Sequence, residues 1–187
     1  MKALTLRHPW GFAIGWAGKD IENRDWDDRV ADLMGLPQII GEPVAIHSGS
    51  CPKRGRNQGW REFIAGLKAM RANLGGELPG SAAQFLASRS PEGPFAPEAF
   101  LVSGIVAVAV ISGTTRASRS SWAVPGQLHL MLSQVVALPE PVECRGAQGF
   151  WEVPEVVERE VRRQVEQVQV TRPPIAAERT GADWLGL

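Results

Sequence analysis

The sequence predicts an α+β fold that is mainly β: a small barrel with surrounding helices, a basic helical insert and a C-terminal helix. Short runs with apolar residues at alternate positions, bounded by turn residues, point to many short strands. One β-branched run, Gly104 to Gly113, is apolar throughout and reads as the most buried strand. Helical spacing is confined to a few segments, which favours a small barrel over a parallel sheet.

The strands and helices follow in chain order. Lys2 to Leu6 reads as a strand. In "RHPWGFAIGWAG", Pro9 suits a first helical turn, Trp10, Ala13, Ile14 and Ala17 share a stripe, and Gly18 suits a left-handed stop. Gly11 and Gly15 inside that helix each cost about 1 kcal/mol relative to Ala, so a close neighbour, most simply a strand, is expected there. Asp27 to Pro43 reads as a loop, and "PVAIHSG" as a strand ending at a turn. "QLHLMLSQVVAL" alternates, with Leu128, Leu130 and Leu132 on one side and Gln127, His129 and Met131 on the other. "FWEV" near Phe150 closes the set.

Two segments read as additions, inserted at about residues 51–100 of a main domain spanning 1–154. Cys51 to Ala72 carries six basic residues against one acid, Glu62, with a helix in "WREFIAGLKAM". Gly76 to Phe100 is rich in Gly, Pro, Ser and Ala and reads as a mobile connection with one short helix, Ser81 to Ser88. Residues 155–187 form a C-terminal unit. Its helix pairs Glu155 with Arg159 and Glu158 with Arg162, and carries a stripe of Val157, Val161, Val165 and Val168. The stripe lies on the body or offers a protein partner a surface. The tail "TRPPIAAERTGADWLGL" reads as extended or disordered, with Trp184, Leu185 and Leu187 able to dock.

Composition narrows the function classes. Twenty Lys plus Arg balance twenty Asp plus Glu, so nucleic-acid affinity has to come from a local patch. The segment 51–72 supplies one. No apolar run nears the roughly 20 residues that span a bilayer, and no signal pattern opens the chain, so a cytoplasmic protein without membrane attachment is expected. Cys51 and Cys144 have no CxxC spacing and suggest no disulfide framework. His8, His47, His129 and Cys51 lack a diagnostic ligand spacing, so neither a metal nor another cofactor is expected.

The string "ALTLRHPWGFAIGWAGKDIENRDW" resembles the opening signature of the ASCH family, a branch of the PUA-like superfamily: a strand, a PW helix, then GxKxxExR, here Gly18, Lys19, Glu22 and Arg24. "VAIHSG", "GIVAVAVISG" and "LSQVVALPEPVECRGAQGFWEVP" are similar to later strands of that family. The resemblance covers roughly residues 1–50 and 101–154. It implies a barrel of five or six strands with a cleft beside GxKxxExR, and RNA, or a nucleotide or nucleoside, as partner. Some members are hydrolases of N4-acetylcytidine that use a Lys, a Thr and a Glu, and ribonuclease activity is proposed for others.

Lys19 matches the hydrolase lysine, and a lysine held away from water can serve as nucleophile or base. Glu22, however, stands where those enzymes place Thr, and no carboxylate lies between Gly113 and Val136, where their Glu falls. Lys19 and Glu22 are the catalytic candidates, with binding favoured over catalysis. If residues 20–26 are extended, Glu22, Arg24 and Trp26 share one face, either to hydrogen-bond and stack a base or as a structural ion pair at the rim. Arg7, His8 and Trp10 lead into the first helix, whose N-terminus favours an anion, although Trp10 also suits the core and His8 a cap. His47 and Ser48 end their strand at the same rim, without the elbow that a serine nucleophile needs. Arg116, Arg119 and Trp122 in "TTRASRSSW" suit phosphate and sugar contacts or a solvated loop.

Overall fold

The structure, a computed structural model, describes residues 1–89 and 95–171. The strands are β1 (Lys2–Leu6), β2 (Ile21–Arg24), β3 (Pro43–Ser48), β4 (Gly104–Thr115), β5 (Leu128–Val142) and β6 (Phe150–Glu152). They form one six-stranded mixed sheet in the order β2-β5-β4-β3-β1-β6, curled into a half-barrel. Only β1 and β3 run parallel; the other neighbouring pairs are antiparallel. The helices are α1 (Trp10–Trp16), α2 (Asp28–Leu33), α3 (Gln58–Asn73), α4 (Gly80–Arg89) and α5 (Glu155–Thr171).

Apolar side chains on both faces explain why β4 reads as a continuous run. Ala107, Ala109 and Ile111 join the core beneath α1, whereas Ile105 and Val108 join a second cluster with Leu138, Val153 and Val161. α5 covers that second face. Its valine stripe is therefore occupied by the sheet: Val161 is fully buried, and Val157 and Val165 pack beside it. These three valines are not a free partner surface. The Glu155–Arg159 and Glu158–Arg162 pairs lie along α5, at 2.8 and 2.6 Å.

The close neighbour expected at α1 is the sheet. A Cβ on Gly11 would overlap the Ser48 hydroxyl of β3, and one on Gly15 would lie 3.7 Å from the Val106 carbonyl and the Ala137 methyl. Gly18, at φ +70°, ends the turn after α1. Trp16 leaves the helix on the far side, stacked on Phe12 at 5.4 Å and on Phe85 of α4 at 3.9 Å. That stack, with Ala82 and Leu86 buried, docks α4 on the body, so this part of the Gly/Pro-rich segment is ordered helix. The proposed docking of Trp184, Leu185 and Leu187 lies outside the described residues.

Three further readings are corrected. Asp27 to Pro43 is not a plain loop: it holds α2, capped by the Asp27 carboxylate accepting from the Val30 amide at 2.7 Å, and a 3-10 turn, Leu36–Gln38. β5 does not alternate cleanly, because Gln134, at φ +49°, marks a register shift against β4 between Val108 and Val110. His129 is buried: the turn before β5 folds over it, and its Nε2 lies 3.0 Å from the Val124 carbonyl.

Gly104 opens β4 at φ +99°, and a Cβ there would lie 2.6 Å from the Val142 carbonyl oxygen on β5. Gly104→Ala is therefore expected to destabilise the fold by about 2 kcal/mol through combined strain and backbone clash. Urea unfolding checks this; a change within about 0.5 kcal/mol would contradict it.

Candidate functional site

The half-barrel leaves a seam between its two edges. β6 pairs with β1 only as far as Leu4, so beyond that residue β1 faces β2 across a gap. Side chains, not a strand ladder, bridge it. The Arg24 guanidinium donates to the Thr5 carbonyl at 3.2 Å, and Trp26 meets Phe150 edge to face at 6.1 Å. A cavity of about 1100 Å³ opens on this seam. Its walls are the end of β1, strand β2 with the residues after it, the turn 147–149 before β6, and the first turns of α3. That volume accommodates a drug-sized or nucleotide-sized ligand.

Six sequence-nominated residues line this cavity together: Arg7, His8, Trp10, Glu22, Arg24 and Trp26. Glu22 and Arg24 share a face of β2 because side chains two apart in a strand point the same way. Glu22 is buried and placed between two cations. Its Oε2 accepts from Lys19 Nζ at 2.8 Å, and its Oε1 lies 3.5 Å from Arg24 Nε. Arg24 in turn lies across the Trp26 indole, 5.3 Å from the ring centroid. The result is a planar cation on a planar ring, held by a carboxylate behind it.

Lys19 does not line the cavity. It is 3% exposed behind Glu22, and its ammonium also donates to the Ile21 carbonyl and lies 5.8 Å from the Trp10 ring. The cavity charges are mixed: Arg7 and Arg24 against Glu22, Asp25 and Glu62. The remaining polar lining is mostly amide, from Asn23, Gln58, Gln127 and Gln148. Such a lining offers donors and acceptors to a neutral planar group more readily than it attracts a polyanion.

Other nominated residues lie elsewhere. His47 is buried under the turn before β6: Nδ1 lies 3.2 Å from Thr5 Oγ1, Nε2 lies 3.2 Å from the Cys144 carbonyl, and Trp151 stands edge-on at 5.5 Å. Trp151 Nε1 donates to the same Thr5 hydroxyl at 3.0 Å. One orientation satisfies all three groups: indole to hydroxyl, hydroxyl to Nδ1, and Nε2–H to carbonyl, with His47 neutral. Ser48 is buried against α1 and its hydroxyl has no hydrogen-bond partner among the described residues. Arg116 is tied to the Trp26 carbonyl at 3.0 Å and to Asp28 at 2.8 Å. Trp122 is buried, and its carbonyl accepts from the Asn23 amide at 2.9 Å. Arg116 and Trp122 thus position the β2 edge from outside the cavity.

His8 lines the cavity yet is buried, with Nε2 2.9 Å from the Gly49 carbonyl. α1 has only seven residues, and its Trp10 amide is already given to the Arg7 carbonyl at 3.0 Å. The helix start therefore offers little to an anion. Burial pushes both His8 and His47 below the usual histidine range, partly offset by their backbone carbonyl partners. Both are therefore neutral in the fold at pH 7. The unfolded chain takes up protons below about pH 6.5, where these folded histidines still resist charging, so their contribution to stability is complete above that pH and falls on acidification. Unfolding by urea at pH 7.5 and 5.5 is expected to show a lower midpoint at 5.5, with the gap narrowed in His47→Gln. Equal midpoints in the wild type would contradict this.

The basic insert divides on folding. Phe63, Gly66 and Met70 form the buried face of α3, which crosses Pro9 and Trp10 where Gly66 leaves no room for a Cβ. Arg61 and Lys68, seven residues apart, fall on the opposite, exposed face. Arg71 borders a separate, mainly apolar cavity of about 250 Å³ with Leu67, Met70 and Phe100. Toward the main cavity α3 presents Gln58 and Glu62 instead. Glu62, Asn23, Gln127 and Gln148 were not legible as site residues; the lone acid in a basic segment was the one available signal.

Among the described residues, no three His, Cys, Asp or Glu side chains come together as a metal site. No described helix is long and apolar enough to cross a membrane. No protein-family model matches this chain, and no curated protein matches it either.

Proposed function

We propose that this chain is an ASCH-type, PUA-like domain that binds RNA, or a nucleotide or nucleoside, in the seam cavity. One observation carries the reading: Arg24, anchored by Glu22 and the Thr5 carbonyl, lies over Trp26 inside a cavity to which Asn23, Gln58, Gln127 and Gln148 contribute side-chain amides. Aromatic and guanidinium planes stack single-stranded bases, and amides read their edges. The position of this cluster on the strand after the PW helix supports the family resemblance, which rests on the same residues.

The contacts of Lys19 favour binding over hydrolysis. An attacking lysine needs a free, accessible amine. Here the ammonium is engaged by Glu22 and the Ile21 carbonyl and is screened from the cavity. Lys19 and Glu22 thus serve as the electrostatic support of Arg24.

Calorimetric titration with the four ribonucleosides and with a single-stranded RNA of mixed sequence tests the proposal. Saturable binding is expected, and the RNA affinity should fall as salt rises through counterion release. Absence of saturable binding to every nucleoside and to RNA would contradict it.

A further inference from the structure

The mouth of the cavity carries an ion pair of unusual placement. Arg7, whose side chain is 84% exposed, donates from Nη1 to Glu62 Oε2 at 2.8 Å. Glu62 Oε1 accepts from Gln58 Nε2 at 2.7 Å, one helical turn away, which fixes the carboxylate toward Arg7. All three residues line the cavity. Glu62 is the single acid between Cys51 and Ala72, and Lys53, Arg54 and Arg56 precede it in the same exposed segment. The one carboxylate in a basic stretch is therefore placed against Arg7, the more exposed of the two arginines that line the cavity.

Resting on the nucleoside-binding reading above, we infer that Glu62 is a specificity residue: its carboxylate occupies the anion-binding position on Arg7, and a ligand phosphate binds there only by replacing it. An arginine presents a planar fork that fits carboxylate and phosphate alike, so the two compete for one position. Exposed ion pairs of this kind contribute little to stability, so the exchange is feasible. In the free protein the pairing neutralises Arg7. The cavity then prefers the uncharged base end of a ligand over its phosphate. The phosphate belongs either to a free nucleotide or to an RNA strand, and both share this chemistry.

Dissociation constants for each nucleoside, its 5′-monophosphate and a single-stranded RNA test the inference in the wild type, Glu62→Gln, and Glu62→Gln with Arg7→Ala. In the wild type the ratio of monophosphate to nucleoside affinity should lie near one. In Glu62→Gln, which keeps shape and removes charge, that ratio should rise about tenfold, the size of one charge-assisted contact. The added Arg7→Ala change should return it to the wild-type value. If an RNA phosphate also uses the position, the salt slope for RNA should steepen by about 0.7 in Glu62→Gln. If only monophosphates respond, the source is the free nucleotide. An unaltered ratio in Glu62→Gln, with nucleosides still bound, would overturn this inference and leave the binding reading standing. No nucleoside binding in any variant would overturn both.

Discussion

Replacing Lys19 with methionine is expected to destabilise the fold by about 3 kcal/mol, the low end of the cost of removing one partner of a buried ion pair, because Arg24 remains as a second, more distant cation. Lys19 and Glu22 are 3% and 6% exposed, and their 2.8 Å contact is shielded from solvent screening. Arg24 compensates only in part, because its Nε stands 3.5 Å from the other Glu22 oxygen and makes no hydrogen bond among the described residues. In a protein of this size that loss corresponds to a drop in Tm of roughly 6–12 °C. The double change Lys19→Met with Glu22→Gln should recover part of it, since neither charge is then buried alone. Thermal melts of the two single variants and the double variant give the coupling directly. A Lys19→Met change within about 0.5 kcal/mol of wild type would show that the pair does not support the site.

Trp26→Ala is expected to weaken nucleoside and RNA binding by roughly 5- to 150-fold, the range of one lost base-aromatic stack. The indole is half-buried, faces the cavity, and carries Arg24 on its ring. Its loss removes both a stacking surface and the platform that orders the guanidinium. Trp26→Phe keeps an aromatic plane and should bind within about threefold of wild type. Equal affinity in wild type and Trp26→Ala, measured by titration, would remove the stacking argument.

Much of this arrangement is encoded locally. The apolar stripe of α1, the left-handed Gly18 and the alternation through Glu22 and Arg24 place the cluster on one strand face by period alone. The unbroken apolar run of β4 likewise follows from cores on both faces. What local pattern cannot express is which surface closes over the site. One cavity wall comes from α3, more than thirty residues further along the chain, and it is docked through Gly66 against Pro9. No spacing rule connects Glu62 with Arg7.

His47 and Ser48 show the opposite failure. Their strand end reaches the rim, but the turn through Gly146 packs directly on the His47 ring, while Ser48 is covered by α1 at Gly11. Polar type suggested a site, and tertiary packing made both interior residues. The bulge at Gln134 and the short helix α2 were hidden for a simpler reason: each breaks a period over too few residues to register.

Binding in the seam cavity is tested by the response of the seven tryptophan indole N–H signals in a 15N NMR spectrum during titration with single-stranded RNA. Trp26 is expected to shift most and Trp10 to follow, while Trp16, stacked between Phe12 and Phe85, stays in place. The Arg24 Nε–H signal should move with Trp26. Shifts confined to residues of the exposed α3 face or of α5, with Trp26 and Arg24 unmoved, would contradict the assignment of the seam cavity as the ligand site.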